Sequence, residues 1–163
     1  VSWIAAIERR EGPTSLIFSR QNLPFQKRDA ATISLIKKGG YILSEANNGN
    51  PQVVIIATGS EVGLAMDAQK TLAEGGIAVR AVSMPNTNIF DKQEQAYQEK
   101  VLPKGIKRIA IEAGVSDFWR KYVGLEGEVI GIDKFGESAP AEKLFEYFGF
   151  TVENVVSAVK RII

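Results

Sequence analysis

Apolar and polar positions follow two rhythms along this chain, and the clearest unit runs from Pro51 to Gly75. Val53, Val54, Ile55, Ile56 and Ala57 form an unbroken apolar run, which predicts a strand covered on both faces, as in a parallel sheet flanked by helices. Thr58-Gly59-Ser60 reads as a tight turn, and Thr58 to Glu61 has capping-box spacing, so a helix is expected to open near Ser60 or Glu61. Val62, Ala65, Met66, Leu72 and Ala73 fall on one helical face, with Asp67, Lys70 and Glu74 pointing away. Gly75-Gly76 is expected to end that helix with a left-handed cap. Ile77 to Met84 supplies the next strand, and the right-handed rule for such crossovers makes the two strands parallel neighbours.

Before this unit, Trp3, Ile4 and Ile7 lie at helical spacing, Gly12-Pro13 stops the helix, and Thr14 to Ser19 reads as a strand. One helix and one strand cannot bury their apolar surface unaided, so this opening reads as the last unit of a preceding domain. Arg20 to Ala31, with Pro24 and mixed charges, reads as linker, and Ile33, Leu35 and Ile36 as a short apolar contact. Tyr41 to Leu43 has the character of a brief strand, with an antiparallel edge position as one option. Asn47 to Pro51 is dense in turn residues.

After Met84 the pattern predicts a helix over Asp91 to Val101, broken by Pro103 and Gly105, and a strand over Arg108 to Ile111. Ser116 is expected to cap a short helix whose aromatic face, Phe118, Trp119 and Tyr122, packs rather than binds. Glu128 to Ile132 reads as a fourth strand and Asp133 to Pro140 as a loop. Pro140 suits the first turn of a helix closed by Gly149. Thr151 caps a last helix with Glu153 in its first turn and Lys160-Arg161 in its last, the charge order that favours the helix dipole.

Composition narrows the chemistry more than it narrows the fold. The chain has 163 residues, enough for one domain with a real core. Its 20 Lys and Arg against 19 Asp and Glu create no field for nucleic acid or anionic membranes. Cysteine and histidine are both absent, which removes disulfides, thiolate metal sites, the usual neutral general base and the serine triad. No apolar run approaches a membrane span and no leader pattern is seen, so a cytoplasmic protein is the expectation. The first residue is Val1 rather than Met, which is expected of a piece of something longer.

In an open α/β sheet, ligands gather outside the carboxyl ends of the strands. That rim comprises Thr58-Gly59-Ser60, Pro85-Asn86-Thr87, Glu112-Ala113-Gly114 and Asp133 to Ser138. Its functional reading is an anion or nucleotide site at the Gly59 and Ser60 amides with Glu112 and Glu137 as paired carboxylates; its plainer reading is turn geometry and helix capping. Neither the dinucleotide glycine fingerprint nor the phosphate-loop motif occurs. Arg20 stands apart because it follows the apolar run Ser15 to Ser19, where a guanidinium offers the bidentate geometry that suits phosphate.

Several segments, taken together, resemble the final portion of the transketolases. They are Ser19-Arg20-Gln21-Asn22-Leu23-Pro24, Ala57-Thr58-Gly59-Ser60-Glu61-Val62, Val82-Ser83-Met84-Pro85, Phe90-Asp91-Lys92-Gln93, Val101-Leu102-Pro103 and Phe135-Gly136-Glu137-Ser138-Ala139-Pro140-Ala141. The resemblance implies that residues 1–22 are the tail of a middle, pyrimidine-binding domain, 23–36 a linker and 37–163 the C-terminal domain. That domain is implied to be a three-layer α/β/α sandwich, its five-stranded sheet mostly parallel with one antiparallel edge strand. It further implies transfer of a two-carbon ketol unit between sugar phosphates in the pentose phosphate pathway. Thiamine diphosphate and a divalent metal, magnesium or calcium, are implied for the full-length homodimeric enzyme. Carried onto this chain, the family's Ser-Arg-Gln segment makes Arg20 the substrate-phosphate contact. No catalytic, cofactor-binding or metal-binding residue is expected within these residues, and the chain alone is expected to be inactive. Sister enzymes such as dihydroxyacetone synthase or deoxyxylulose phosphate synthase share the architecture, and a regulatory anion-binding module at Gly59 and Ser60 is the rival from another class.

Overall fold

The long apolar run Val53–Ala57 demands cover on every side, and the fold supplies it. The computed structural model describes residues 1–163. Its sheet contains β1 (Tyr41–Ser44), β2 (Val53–Ala57), β3 (Val79–Ser83), β4 (Lys107–Ile111) and β5 (Glu128–Ile130), in the spatial order β1-β3-β2-β4-β5. β1 runs antiparallel to β3, and every other pair is parallel. β2 is central, and all five of its residues are fully buried. Its register aligns Val53 with Val79 on one side and with Lys107 on the other, so the carboxyl ends of β2, β3 and β4 finish level.

Successive β2 side chains point to opposite faces and feed two separate apolar layers. On one face Val53, Ile55 and Ala57 pack with Ile109 and Ile111 under α3 (Glu61–Glu74) and α8 (Val152–Ile162), through Ala65, Leu72, Val155 and Val159. On the other, Val54, Ile56 and Ala110 pack against Met84, Phe90, Val101, Trp119 and Tyr122. Those residues lie on or beside α4 (Thr87–Phe90), α5 (Gln95–Val101), a 3-10 turn Ser116–Trp119 and α6 (Arg120–Val123). The result is the three-layer α/β/α sandwich with one antiparallel edge strand. Each fully buried Val, Leu or Ile contributes roughly 1.5–3 kcal/mol relative to exposure.

The edge is irregular. Register slips between Ile42 and Ser44, and the Gln69 side chain donates to the carbonyls of Ser44, Glu45 and Val79 at 3.4, 3.3 and 2.8 Å. A buried amide thus serves acceptors that the slipped ladder leaves free.

Helix termini confirm some local readings and correct others. α3 closes as expected: Gly76 takes φ +80, its amide donates to the Ala73 carbonyl, and the Ile77 amide donates to that of Leu72. The capping box at its start does not form. Ser60 is helical, and its hydroxyl donates to Glu61 Oε1 at 3.0 Å instead of serving a backbone amide. Thr151 does cap α8, accepting from the Asn154 amide at 3.2 Å. Ser116 does not cap its helix; its amide and hydroxyl both donate to the Asp133 carboxylate, at 2.9 and 2.6 Å, pinning the following loop. The helix expected over 91–101 begins only at Gln95, and a separate short helix, α4, capped by Asn86, precedes it. Pro140 stands just before α7 (Ala141–Tyr147) rather than in its first turn, and Gly149 at φ +80 follows that helix.

The opening segment departs most. α1 (Ser2–Glu8) forms as expected but buries nothing. Residues 14–19 are not a strand, since no strand lies beside them to accept their ladder. The stretch read as linker contains α2 (Ala30–Leu35), started by Asp29 accepting from the Thr32 amide at 2.7 Å.

Candidate functional site

Arg20 sits in a bend just after the irregular stretch 13–19, exposed and outside every ion pair of the fold. With Gln21 it forms one side of an open depression of about 430 Å³, whose other side is Ala139, Ala141 and Leu144 at the start of α7. The loop after β5 leads into α7, whose first residues line that side. A guanidinium with uncommitted donors beside small apolar side chains can take an anionic group in bidentate fashion. Around it the segment is unusually apolar for a surface: Trp3, Ile4, Ile7, Phe18 and Leu23 are exposed, Ile17 is 94% exposed and Phe25 87%.

The Gly59-Ser60 rim has a different character. Gly59 takes φ +55 at the turn from β2 into α3, a left-handed conformation open to glycine at no steric cost. Immediately beside it Glu61 is buried, 4% exposed. Burial pushes this carboxyl above its ordinary value, and the nearby Glu112 charge adds to the rise. Hydrogen bonds from its own amide, the Ser60 hydroxyl and the Ala113 amide act in the opposite sense. Glu112 itself accepts from Trp119 Nε1. The carboxylate that Glu112 faces is therefore Glu61, while Glu137 stays in the exposed loop 133–140. The acidic side chains Glu61 and Glu112, at the carboxyl ends of β2 and β4, stand beside the Gly59 and Ser60 amides and offer an anion no favourable contact there. Adjacent strands that end level place Glu61 and Glu112 together, a pairing of β2 with β4 that only the fold reveals.

A second polar cluster lies on the opposite face. Tyr122 donates to Asp91 at 3.0 Å, and Lys121 pairs with the same carboxylate at 2.6 Å. Burial, then the Asp91 hydrogen bond and charge, push the Tyr122 phenol up to about 12. Arg108 donates to the carbonyls of Tyr122, Leu102 and Pro103, and its burial lowers its pKa. Apart from the buried Arg108 Nε, which has no hydrogen-bond partner, these groups are committed to one another and to backbone.

Residues 39–151 match the family model for the transketolase-like TK C-terminal domain. The whole chain is 58% identical to transketolase 2 of Aliivibrio fischeri and 57% identical to transketolase 2 of Pasteurella multocida, covering 25% of each. It spans about a quarter of the length of these curated relatives. Its fold superposes on transketolase from Leishmania mexicana with a TM-score of 0.88 at 40% identity, over 99% of this chain and 23% of that one. No helix is long and apolar enough to cross a membrane. A family match over most of the chain, joined to full-length similarity to named transketolases, shows that this chain belongs to the transketolase family.

Proposed function

We propose that these residues form the C-terminal part of a transketolase, in which Arg20 grips the phosphate of a sugar phosphate and the exposed apolar segment 3–25 packs against the rest of the chain. The full-length enzyme transfers a two-carbon ketol unit between sugar phosphates as a cytoplasmic homodimer, to which this part lends surface. The reading rests on Arg20: a guanidinium held outside every ion pair, within the Ser19 to Pro24 motif, opening into a depression.

Thiamine diphosphate supplies the electron sink for ketol transfer, and its pyrophosphate is anchored through a divalent metal, magnesium or calcium. The Glu61 and Glu112 side chains beside the Gly59 and Ser60 amides do not suit a pyrophosphate, and no role in holding it is proposed for these residues. The cofactor is accordingly assigned to other residues of the full-length chain. Domain limits of 1–22, 23–36 and 37–163 belong to the same reading.

Arg20→Ala in a full-length transketolase carrying these residues tests it. A charge-assisted hydrogen bond is worth about 1.5–3 kcal/mol, so kcat/KM for phosphorylated substrates should fall roughly 10- to 150-fold with little change for unphosphorylated ones. Equal losses for both classes reject the role.

A further inference from the structure

The turn that joins β1 to β2 carries an Asn-Gly step, Asn48-Gly49, and no other asparagine of the chain is followed by glycine. We propose that Asn48 is a site of spontaneous deamidation, at which the folded protein converts a side-chain amide into a carboxylate through a succinimide. The Gly49 backbone nitrogen gives up its proton to a solvent base and attacks Cγ of Asn48. A new N–Cγ bond replaces the Cγ–Nδ2 bond, and Nδ2 leaves as ammonia. Water then opens the ring at either carbonyl, leaving aspartate or its β-linked isomer, so the net change is one water consumed and one ammonia released.

Three observations carry it. Residues 47–50 are all exposed, and a Cβ built on Gly49 would meet nothing within 4 Å, so base and water reach the reacting atoms. Asn48 Oδ1 accepts from the Asn50 amide at 2.9 Å, which folds the side chain back over the Gly49 peptide and draws electron density from the carbon under attack. Gly49 itself sits at φ +72, with no side chain to hinder its nitrogen. Its amide donates to the Ala46 carbonyl at 2.8 Å, a restraint on the attack, but one that belongs to an exposed turn able to open without global unfolding. Other asparagines lack this combination. Asn50 precedes Pro51, which has no N–H. Asn154 lies in α8 with Nδ2 donating to the Gly149 carbonyl at 2.8 Å, and Asn86 is engaged as the α4 cap. The turn also lies at the amino end of β2, the opposite end of that strand from the Gly59-Ser60 rim. The β-linked product lengthens the backbone between residues 48 and 49 by one methylene and so disturbs the Ala46–Gly49 bond that shapes the turn.

The test is timed incubation of a full-length transketolase carrying these residues, in native buffer at mildly alkaline pH. Mass spectrometry then follows the tryptic peptide 39–70, released by cleavage after Lys38 and Lys70, with the zero-time sample as baseline. The peptide should gain about 1 Da, the mass of an amide-to-carboxylate conversion. Fragmentation should place the gain on residue 48, with aspartate and its β-linked isomer both present, while Asn86 and Asn154 stay amides. Gly49→Ala, whose methyl crowds the attacking nitrogen, should slow the reaction roughly tenfold. Asn48→Gln, which would have to close a larger ring, should abolish it, and circular dichroism checks that each variant folds. A native-state rate at Asn48 no faster than at Asn86 or Asn154, a gain on Asn47 or Asn50 instead, or a reaction seen only after unfolding in urea would each overturn the proposal.

Discussion

Arg80 and Glu45 meet in a two-pronged pair, Nε to Oε1 at 2.9 Å and Nη2 to Oε2 at 2.8 Å, across the slipped end of the antiparallel edge. The Arg80 side chain is 8% exposed and Glu45 39%, and Nη1 also donates to the carbonyls of Lys100 and Val101 at the end of α5. One arginine thus ties β3, the residue after β1 and α5 together. Glu45→Ala leaves a buried cation short of its charge partner while the carbonyl bonds survive. A loss of about 1–3 kcal/mol in urea unfolding is expected; a loss below a few tenths would show that the pair is ornamental.

Gly39 has φ +85, and a Cβ there would lie 2.3 Å from the Asn86 carbonyl oxygen and 2.5 Å from the Phe90 amide nitrogen. Gly76 has a similar φ of +80 but open space around it. Gly76→Ala should cost only the left-handed penalty, about 1–2 kcal/mol. Gly39→Ala adds a backbone clash and should cost about 3 kcal/mol more than that. Unfolding curves of the two variants separate strain from crowding, and equal losses would contradict the close approach.

Glu61 makes stability depend on pH in a specified direction. Its folded-state pKa is raised above the ordinary 4.5 by burial, so the unfolded chain releases that proton first. The Glu61 contribution to stability is therefore greatest below 4.5 and is lost as pH rises toward the folded-state value. Glu61→Gln keeps an acceptor for the Ser60 hydroxyl and cannot ionise. Relative to this variant, the parent should lose stability by denaturant titration as pH rises above 4.5. A parent that gains stability over the variant with rising pH would contradict the burial argument.

What could be read from the chain alone was whatever local pattern decides. β2 declared itself through an apolar run with no alternation, and α8 through a cap, a charge gradient and a valine stripe. The failures share one cause, a partner distant in sequence. Thr14 to Ser19 is apolar enough for a strand, yet a strand exists only beside another. Ser116 looked like a cap, but Asp133, seventeen residues on, claimed its hydroxyl and amide. Asp29 with Thr32 is a legible helix start, masked in the sequence by Pro24 and the mixed charge of that stretch. Arg20 and the rim could be named in advance, whereas the facing of Glu61 with Glu112 and of Arg20 with Ala139, Ala141 and Leu144 needed the tertiary fold.

The proposed role of these residues is to fold and supply one substrate-phosphate contact while the reacting machinery lies elsewhere in a longer chain. Its most direct test is a turnover assay on the purified 163-residue chain, shown folded by circular dichroism, with a ketose phosphate, an aldose phosphate acceptor, thiamine diphosphate and magnesium. Product formation no faster than the cofactor alone is the predicted result, with a full-length relative active in the same assay. Sustained, enzyme-concentration-dependent turnover by the 163 residues alone would contradict it.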